Sequence, residues 1–416
     1  MLARAANSRT RWSFTYRQTG PELLRPRGRP RAAGNQLGII SVGDRKFLRR
    51  SAVRVGGGDQ VVADNDAAGR ARGGPVAQGG RAVTGRRLRA VHIAVGFALD
   101  RALGDPGCLH PVAGFGRVAQ VAEQRLLQRV RTPAAQRAAG LMFAGVLVGG
   151  TATATAAVGR LASRSVVGSA AWGSLVVWSC LGGSSLLSVG QRQSELLERD
   201  DIAGSRALLP WLCGRDPRAL GPEELARAVV ESVAENTSDA AIATLFWALI
   251  AGAPGAAAHR AANTLDAMVG HRSDRHQHFG APVARLDDVM GFIPARIAGA
   301  LAVAWAETVG GSPSGALRAW RRDARAHPSP NGGVVEAVCA GALGIRLGGR
   351  TPYPYGVQQR AVLGDGREVR AGDIDRAVRL HSRVQIVAAL LAVAALVAAD
   401  LAGARSRFGT VVPRDG

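Results

Sequence analysis

Glu231 and Glu235 stand four residues apart in the run Glu231-Ser-Val-Ala-Glu235-Asn236-Thr-Ser238-Asp239, directly before a long apolar stretch. On a helix, side chains at i and i+4 share a face, and like charges there repel unless something positive lies between them. The pair therefore predicts a shared cation, either Mg2+ bound through carboxylate oxygens or an arginine. Ser238 continues the same side one turn further on. A plainer alternative has Ser238 or Asp239 capping the helix that follows.

A second constellation runs Arg260-Ala-Ala-Asn263-Thr-Leu-Asp266-Ala-Met-Val-Gly270, followed by Ala284-Arg285-Leu-Asp287-Asp288-Val and Arg296. Asn263 and Asp266 are i,i+3 neighbours on one helix face. Hard oxygen ligands beside arginines are what a Mg-nucleotide or phosphate site requires, because the metal and the guanidinium groups both offset phosphate charge. His271, His276 and His278 lie between the two halves. With neither a supporting cysteine nor an HExxH pattern, they read as a wet loop rather than a zinc site.

The third constellation is Arg322-Asp323-Ala-Arg325-Ala-His327-Pro-Ser329-Pro-Asn331-Gly-Gly, with Glu336 and Arg346 beyond it. Arginines leading into a Pro- and Gly-rich loop before an Ala-rich helix predict an anion cradle of guanidinium forks and helix N-terminal N–H groups. The pattern is neither a P-loop nor a GxGxxG turn. A fourth, Gly104-Asp105-Pro106 with His110-Pro111, is a turn in which Asp105 either caps the next helix or lies in a substrate loop at a membrane rim.

The elements that must hold these residues are apolar helices. Residues 138–158 and 165–190 are uncharged and meet the roughly 20 residues a helix needs to cross a bilayer, with Arg160 and Arg164 between them as in a helical hairpin. Three further apolar stretches, 240–258, 289–306 and 384–399, contain or adjoin Pro254, Pro294 with Arg296, and Asp400 respectively. Residues 92–99 are too short to predict a span of their own. The fold class is mainly α: a polytopic helical membrane protein with about four or five spans and a polar catalytic face.

Of the 416 residues, 53 are basic and 31 acidic, a net charge of +22. That excess invites a nucleic-acid reading, but residues 1–90 hold 19 of the basic side chains and only 5 of the acidic ones. The chain divides into an Arg- and Gly-rich leader over 1–88 and a membrane-embedded domain over 89–416. The leader has no sustained periodicity and no apolar signal core, and it reads as disordered or as sequence upstream of the true start. Nucleic acid is accordingly not an expected partner. Lys46 is the only lysine, so the body has no Walker or Schiff-base lysine to offer. Cys108, Cys180, Cys213 and Cys339 are scattered and read as small buried hydrophobes.

Taken in order, these five uncommon motifs resemble the adenosylcobinamide-phosphate synthase family of cobalamin biosynthesis, the CobD/CbiB type, over roughly residues 86–405. The resemblance implies a multi-pass protein of the cytoplasmic membrane. It implies a ligase joining the free propionate carboxylate of adenosylcobyric acid, a corrinoid, to aminopropanol or aminopropanol phosphate, with ATP and Mg2+. A carboxylate does not react with an amine at neutral pH without activation, so an acyl phosphate is the natural intermediate. Glu231, Glu235, Asn236, Asp239, Asn263, Asp266, Asp287 and Asp288 would supply amine and metal contacts, the Mg2+ set being Glu231, Glu235 and Asp266. Arg260, Arg322, Arg325 and Arg346 would hold phosphates, with Asp105, His110, Asp323, His327, Ser329 and Asn331 completing the binding groups. Two other classes compete. An intramembrane Mg-diphosphate prenyltransferase would use aspartate-rich helices, but Gly291 stands where a DDxxD motif needs its third acid. A transporter would explain intramembrane polar groups and leaves the Arg-rich loop unexplained.

Overall fold

The computed structural model describes residues 75–106, 110–271, 273–353 and 356–408, with side chains from 85 to 403. Most of the leader and Cys108 lie outside the described residues. Twelve α-helices are described. The first six are α1 Pro75–Leu103, α2 Pro111–Arg129, α3 Pro133–Ala162, α4 Val166–Cys180, α5 Gly183–Glu198 and α6 Ile202–Leu208. The rest are α7 Pro222–Asn236, α8 Ala243–Val269, α9 Ala281–Trp305, α10 Pro313–Asp323, α11 Gly332–Leu343 and α12 Ala371–Phe408. One antiparallel hairpin, β1 Leu347–Tyr353 and β2 Gly356–Leu363, stands between α11 and α12.

Five helical segments are long and apolar enough to cross a bilayer: Pro133–Ala162, Val166–Glu198, Pro222–Val269, Ala281–Val309 and Ala371–Gly403. They contain the five apolar stretches of the sequence to within one residue, and the protein is a mainly α, multi-pass membrane protein. The expected hairpin is present, with Ser165 capping α4 through the Gly168 N–H at 2.9 Å. Its second arm is broken at Leu181-Gly182, where Thr244 Oγ1 donates to the Cys180 carbonyl at 3.2 Å. Helix α1 runs straight across residue 88, and Arg86 and Arg87 bind the Ala399 carbonyl and the Asp400 carboxylate of α12.

Both proline-bearing spans repair themselves in the same way. A proline inside a helix removes the N–H that would reach the carbonyl four residues earlier, and in a lipid environment that carbonyl needs another donor. Below Pro254, where Gly252 turns to φ 69°, the Ile250 carbonyl accepts from Arg89 of α1 at 3.1 Å. Below Pro294, the Met290 carbonyl accepts from Trp247 Nε1 of α8 at 3.0 Å. Each kink is thus also a tie between helices.

At the centre lies α11, all twelve residues buried, with α7 beside it. Outward-facing Leu141, Val146, Leu390 and Leu391 give the spans an apolar exterior. Cys180 and Cys339 are buried as expected, and Cys213 is half-buried.

Candidate active site

Helix α7 delivers Glu231, only 2% exposed, to the middle of the fold. Its carboxylate contacts Arg215, accepts from Arg360 Nη1 at 3.0 Å and from the Gly348 N–H at 2.7 Å, and has Arg227 Nε at 3.9 Å. Gly348 makes this possible. Its φ of 80° and the crowding of any Cβ against the Ala361 carbonyl both require glycine, and the bulge it forms turns its N–H inward. Of the two cations allowed by the Glu231–Glu235 spacing, the one present at Glu231 is arginine. These donors make Glu231 a buried counter-ion to arginine in the structure, which favours the arginine alternative at this position.

Between α7 and α8 the helix widens over Thr237–Ile242, a π-type turn of the kind frequent at functional sites. Neither Ser238 nor Asp239 begins a new helix there, contrary to the capping alternative. Asn236 turns its amide back onto Ser232, at 2.9 Å to the carbonyl and 3.0 Å to Oγ, and makes a structural contact. Glu235 and Asp239 face inward with Asn263, Asp266, Asp287 and Asp288, all half-buried. Asp239 is within electrostatic range of Glu235, Asp266 and Asp287, and Asn263 lies beside Asp287, whose Oδ1 is buried without a partner. Among the described residues no three of these groups converge closely enough to grip a metal ion as they stand.

The Arg-rich motif folds around a cavity of about 590 Å3, lined by Arg296, Arg321, Arg325, His327, Trp320 and Pro330. Arg296 reaches it from α9, held by Asn331 Oδ1 at 2.8 Å, by the Pro330 carbonyl at 3.1 Å and over the Phe292 ring at 3.5 Å. Arg321 and Arg325 are exposed and make no ion pair among the described residues. The cradle differs from expectation in one respect. Ser329 Oγ takes the Asn331 and Gly332 N–H groups and its carbonyl takes that of Gly333, so the N-terminus of α11 is already capped. The cavity presents guanidinium groups, not free main-chain amides.

Several of the expected binding residues have partners within the fold. Arg322 forks onto Asp323 at 2.6 and 2.9 Å and reaches Asp365 at 2.8 Å, while Asp323 also takes the Gly364 N–H at 2.8 Å. Together they pin the end of β2. Arg346 pairs with Glu368 at 2.7 Å. His110, not Asp105, caps α2, its Nδ1 accepting from Val112 N at 3.2 Å. Arg260 lies apart from Arg325, in a mostly apolar cavity of about 390 Å3 with Trp172, Trp178, Thr151 and Thr264, beside Asp105. The His271–His278 loop is bound through His276 to Glu123 of α2 at 2.9 Å.

The two halves of the site meet at α11. A Cβ on Gly332 would stand 3.3 Å from Glu235 Oε1 and 3.2 Å from His327 Cε1, so glycine lets the two side chains approach. Arg360, from β2, contacts His327 Nε2 and reaches Glu336 at 3.2 Å as well as Glu231. Burial, reinforced by Glu231, pushes the Glu336 carboxyl well above the usual range despite Arg360. Burial and then Arg360 push His327 down to about 4. Arg215 and Arg360 were not singled out by the sequence. The only signal was the unmet charge of Glu231 and Glu336 within apolar helices, and only the tertiary fold reveals which arginines meet it.

A family model described as "CobD/Cbib protein" matches residues 93–381. The chain belongs to the CobD/CbiB family. Its CobD relative from Mycobacterium tuberculosis is 50% identical over 307 residues, 74% of this chain and 96% of the relative. CobD of Geobacter metallireducens is 41% identical over 271 residues, covering 64% and 84%. CbiB of Salmonella typhimurium is 38% identical over 310 residues, covering 73% and 95%. All three are named as cobalamin biosynthesis proteins. No solved structure matches the chain. This CobD/CbiB protein therefore works in cobalamin biosynthesis, and the prenyltransferase and transporter readings lose their footing.

Proposed function

We propose that the protein is an ATP-dependent carbon–nitrogen ligase of the cell membrane. It would join the free propionate carboxylate of adenosylcobyric acid to aminopropanol or aminopropanol phosphate, giving adenosylcobinamide or its phosphate. The observation that carries this reading is the juxtaposition at α11 of a three-arginine cavity with half-buried carboxylates: phosphate recognition on one side, acid–base and cation-binding groups on the other.

In this reading the carboxylate displaces ADP from the terminal phosphate of ATP, forming an acyl phosphate. The amine nitrogen then attacks the acyl carbon, releasing phosphate and one proton. Arg296, Arg321 and Arg325 hold phosphate oxygens and offset their charge. Glu235, beside His327 and at the rim of both halves, is placed to accept the proton of the amine.

The donor set of Asp239, Asp266, Asp287 and Asn263 suits a hard divalent cation, and the unpartnered Oδ1 of Asp287 is the group such an ion would satisfy. Bound there, Mg2+ would supply further positive charge to the phosphates. Glu231 does not join it.

The test is to incubate membranes containing the protein with adenosylcobyric acid, Mg-ATP and either aminopropanol or its phosphate. Formation of the cobinamide amide is the expected result. Absence of product with both amines, while a related active preparation gives it, would remove the reading.

A further inference from the structure

We infer that Arg360 is a positioning residue: reaching in from β2, it fixes His327 as the uncharged ring with its proton on Nδ1, so that the arginine cavity carries three cations and not four. The consequence for turnover rests on the ligase reading above. The state of the ring follows from the hydrogen bonds alone.

A guanidinium has only donors. Arg360 Nη2 contacts His327 Nε2, so that nitrogen must present its lone pair. The other ring nitrogen faces Ser329, with the carbonyl at 3.1 Å and the main-chain N–H at 3.1 Å. Ser329 thus offers Nδ1 both an acceptor and a donor and accommodates either tautomer. Arg360 can only donate, and it decides the matter. An imidazolium, with N–H groups on both nitrogens, would aim one of them at a guanidinium.

Arg360 is itself held by carboxylates on two other elements, Glu231 of α7 and Glu336 of α11. The charged groups around His327 are therefore Arg360 from the hairpin, Glu336 at 3.6 Å, Glu231 and Glu235 from α7, and the cavity arginines Arg296, Arg321 and Arg325. Ring protonation is opposed by burial and by Arg360 and favoured by the Ser329 carbonyl and Glu231, and the opposing influences prevail. Without Arg360, Nε2 is freed toward Glu336 and the balance moves toward the imidazolium.

The experiment is nitrogen NMR of 15N-histidine-labelled full-length protein in lipid nanodiscs, with His327→Gln used to assign the ring. In the wild type, His327 should show the neutral pattern with Nδ1 protonated and no titration between about pH 5 and 8. Arg360→Gln should raise its midpoint by about 1–2 pH units, and Arg360→Lys, which keeps the charge, should restore the neutral ring. A charged ring at neutral pH, an Nε2-protonated ring, or a midpoint unmoved in Arg360→Gln would each overturn the inference. Should Arg360→Gln fail to fold, the wild-type tautomer still decides. In turnover, the pH profile of Arg360→Gln should gain a step that disappears when His327→Gln is added. Absence of ligase product with the expected ring state would count against the ligase reading and leave this inference standing.

Discussion

The side-chain amide of Asn331 donates to the main-chain oxygen of Asp288 at 2.8 Å. The same side chain accepts from Arg296 through Oδ1, so one buried amide fastens the Arg-rich loop to the helix bearing Asp287 and Asp288. The fit is close: a Cβ on Gly291 would come to 2.8 Å of Asn331 Nδ2. Asn331→Ala should lower stability by about 1–3 kcal/mol, since it removes two hydrogen bonds of a buried side chain, one to the Asp288 carbonyl and one from Arg296. It should also cut turnover more than about tenfold, because the register between carboxylates and arginines is lost. Asn331→Asp, which keeps the acceptor for Arg296, should fall between. Thermal unfolding and product assays of the three proteins decide it, and wild-type turnover in Asn331→Ala would show that the two clusters act independently.

Two neighbouring arginines should behave oppositely. Arg325 lines the cavity without an ion pair, whereas Arg322 is forked onto Asp323 and Asp365. Arg325→Ala is expected to raise KM for the phosphate-bearing substrate about tenfold or more with the unfolding temperature unchanged. Arg322→Ala should leave KM near wild type and lower the unfolding temperature slightly, because the guanidinium is half exposed and its pair with Asp365 lies in solvent. Equal KM effects in both would mean that Arg322 also reaches the ligand.

The spans were legible in the sequence because an uncharged run long enough to cross a bilayer has few other uses. The polar motifs were legible for the complementary reason, that acids and amides inside such helices demand partners. What those partners are was not legible. The 231/235 spacing allowed a metal or an arginine, and the choice depends on Arg215 and on Arg360, more than a hundred residues downstream in a strand with no motif of its own. The partners of Arg322 and Arg346 within the fold were likewise hidden, since nothing in the local sequence points to Asp365 or Glu368. The capping of α11 by Ser329 was hidden too, because a Pro-Ser-Pro-Asn loop leaves N–H groups open or closed depending on one rotamer.

Glu231 tests the distinction between a metal ligand and a buried counter-ion. Glu231→Gln leaves Arg215 and Arg360 buried with half their compensation gone, and removing one partner of such a pair costs about 3–5 kcal/mol. We expect a sharply lowered unfolding temperature and reduced yield in membranes. Raising Mg2+ should not restore activity. Recovery at high Mg2+ with normal stability would return Glu231 to the metal set. Asp266→Asn, by contrast, should lose turnover while folding normally.

Trp247 tests the repair of the proline kink in α9. Its Nε1 is the donor that the Met290 carbonyl takes in place of the N–H missing at Pro294. Trp247→Phe keeps most of the apolar contact and removes only that donor, so it should destabilise by about 1–3 kcal/mol. If Pro294→Ala, which restores the main-chain N–H, is added, most of that loss should be regained. A double variant no more stable than Trp247→Phe would place the role of Trp247 in packing.

The Glu123 pair gives a pH dependence whose sign can be worked out. Burial works against the Glu123 carboxylate, but the hydrogen bond from His276 and the charge of Arg275 more than offset it and hold its pKa below the ordinary value. A carboxylate depressed in the folded protein binds fewer protons than the unfolded chain, so its stabilisation is fully present above the unfolded value of about 4.3 and is lost as pH falls through the folded one. Glu123 and His276 join α2 to the loop between α8 and α9, and Glu123→Gln should loosen that junction at neutral pH. The difference in unfolding temperature between wild type and Glu123→Gln should therefore shrink as the pH falls below about 4. Thermal unfolding across that range checks it. A difference that stays undiminished below about pH 4 would show that the carboxylate is not the group whose charge holds this junction.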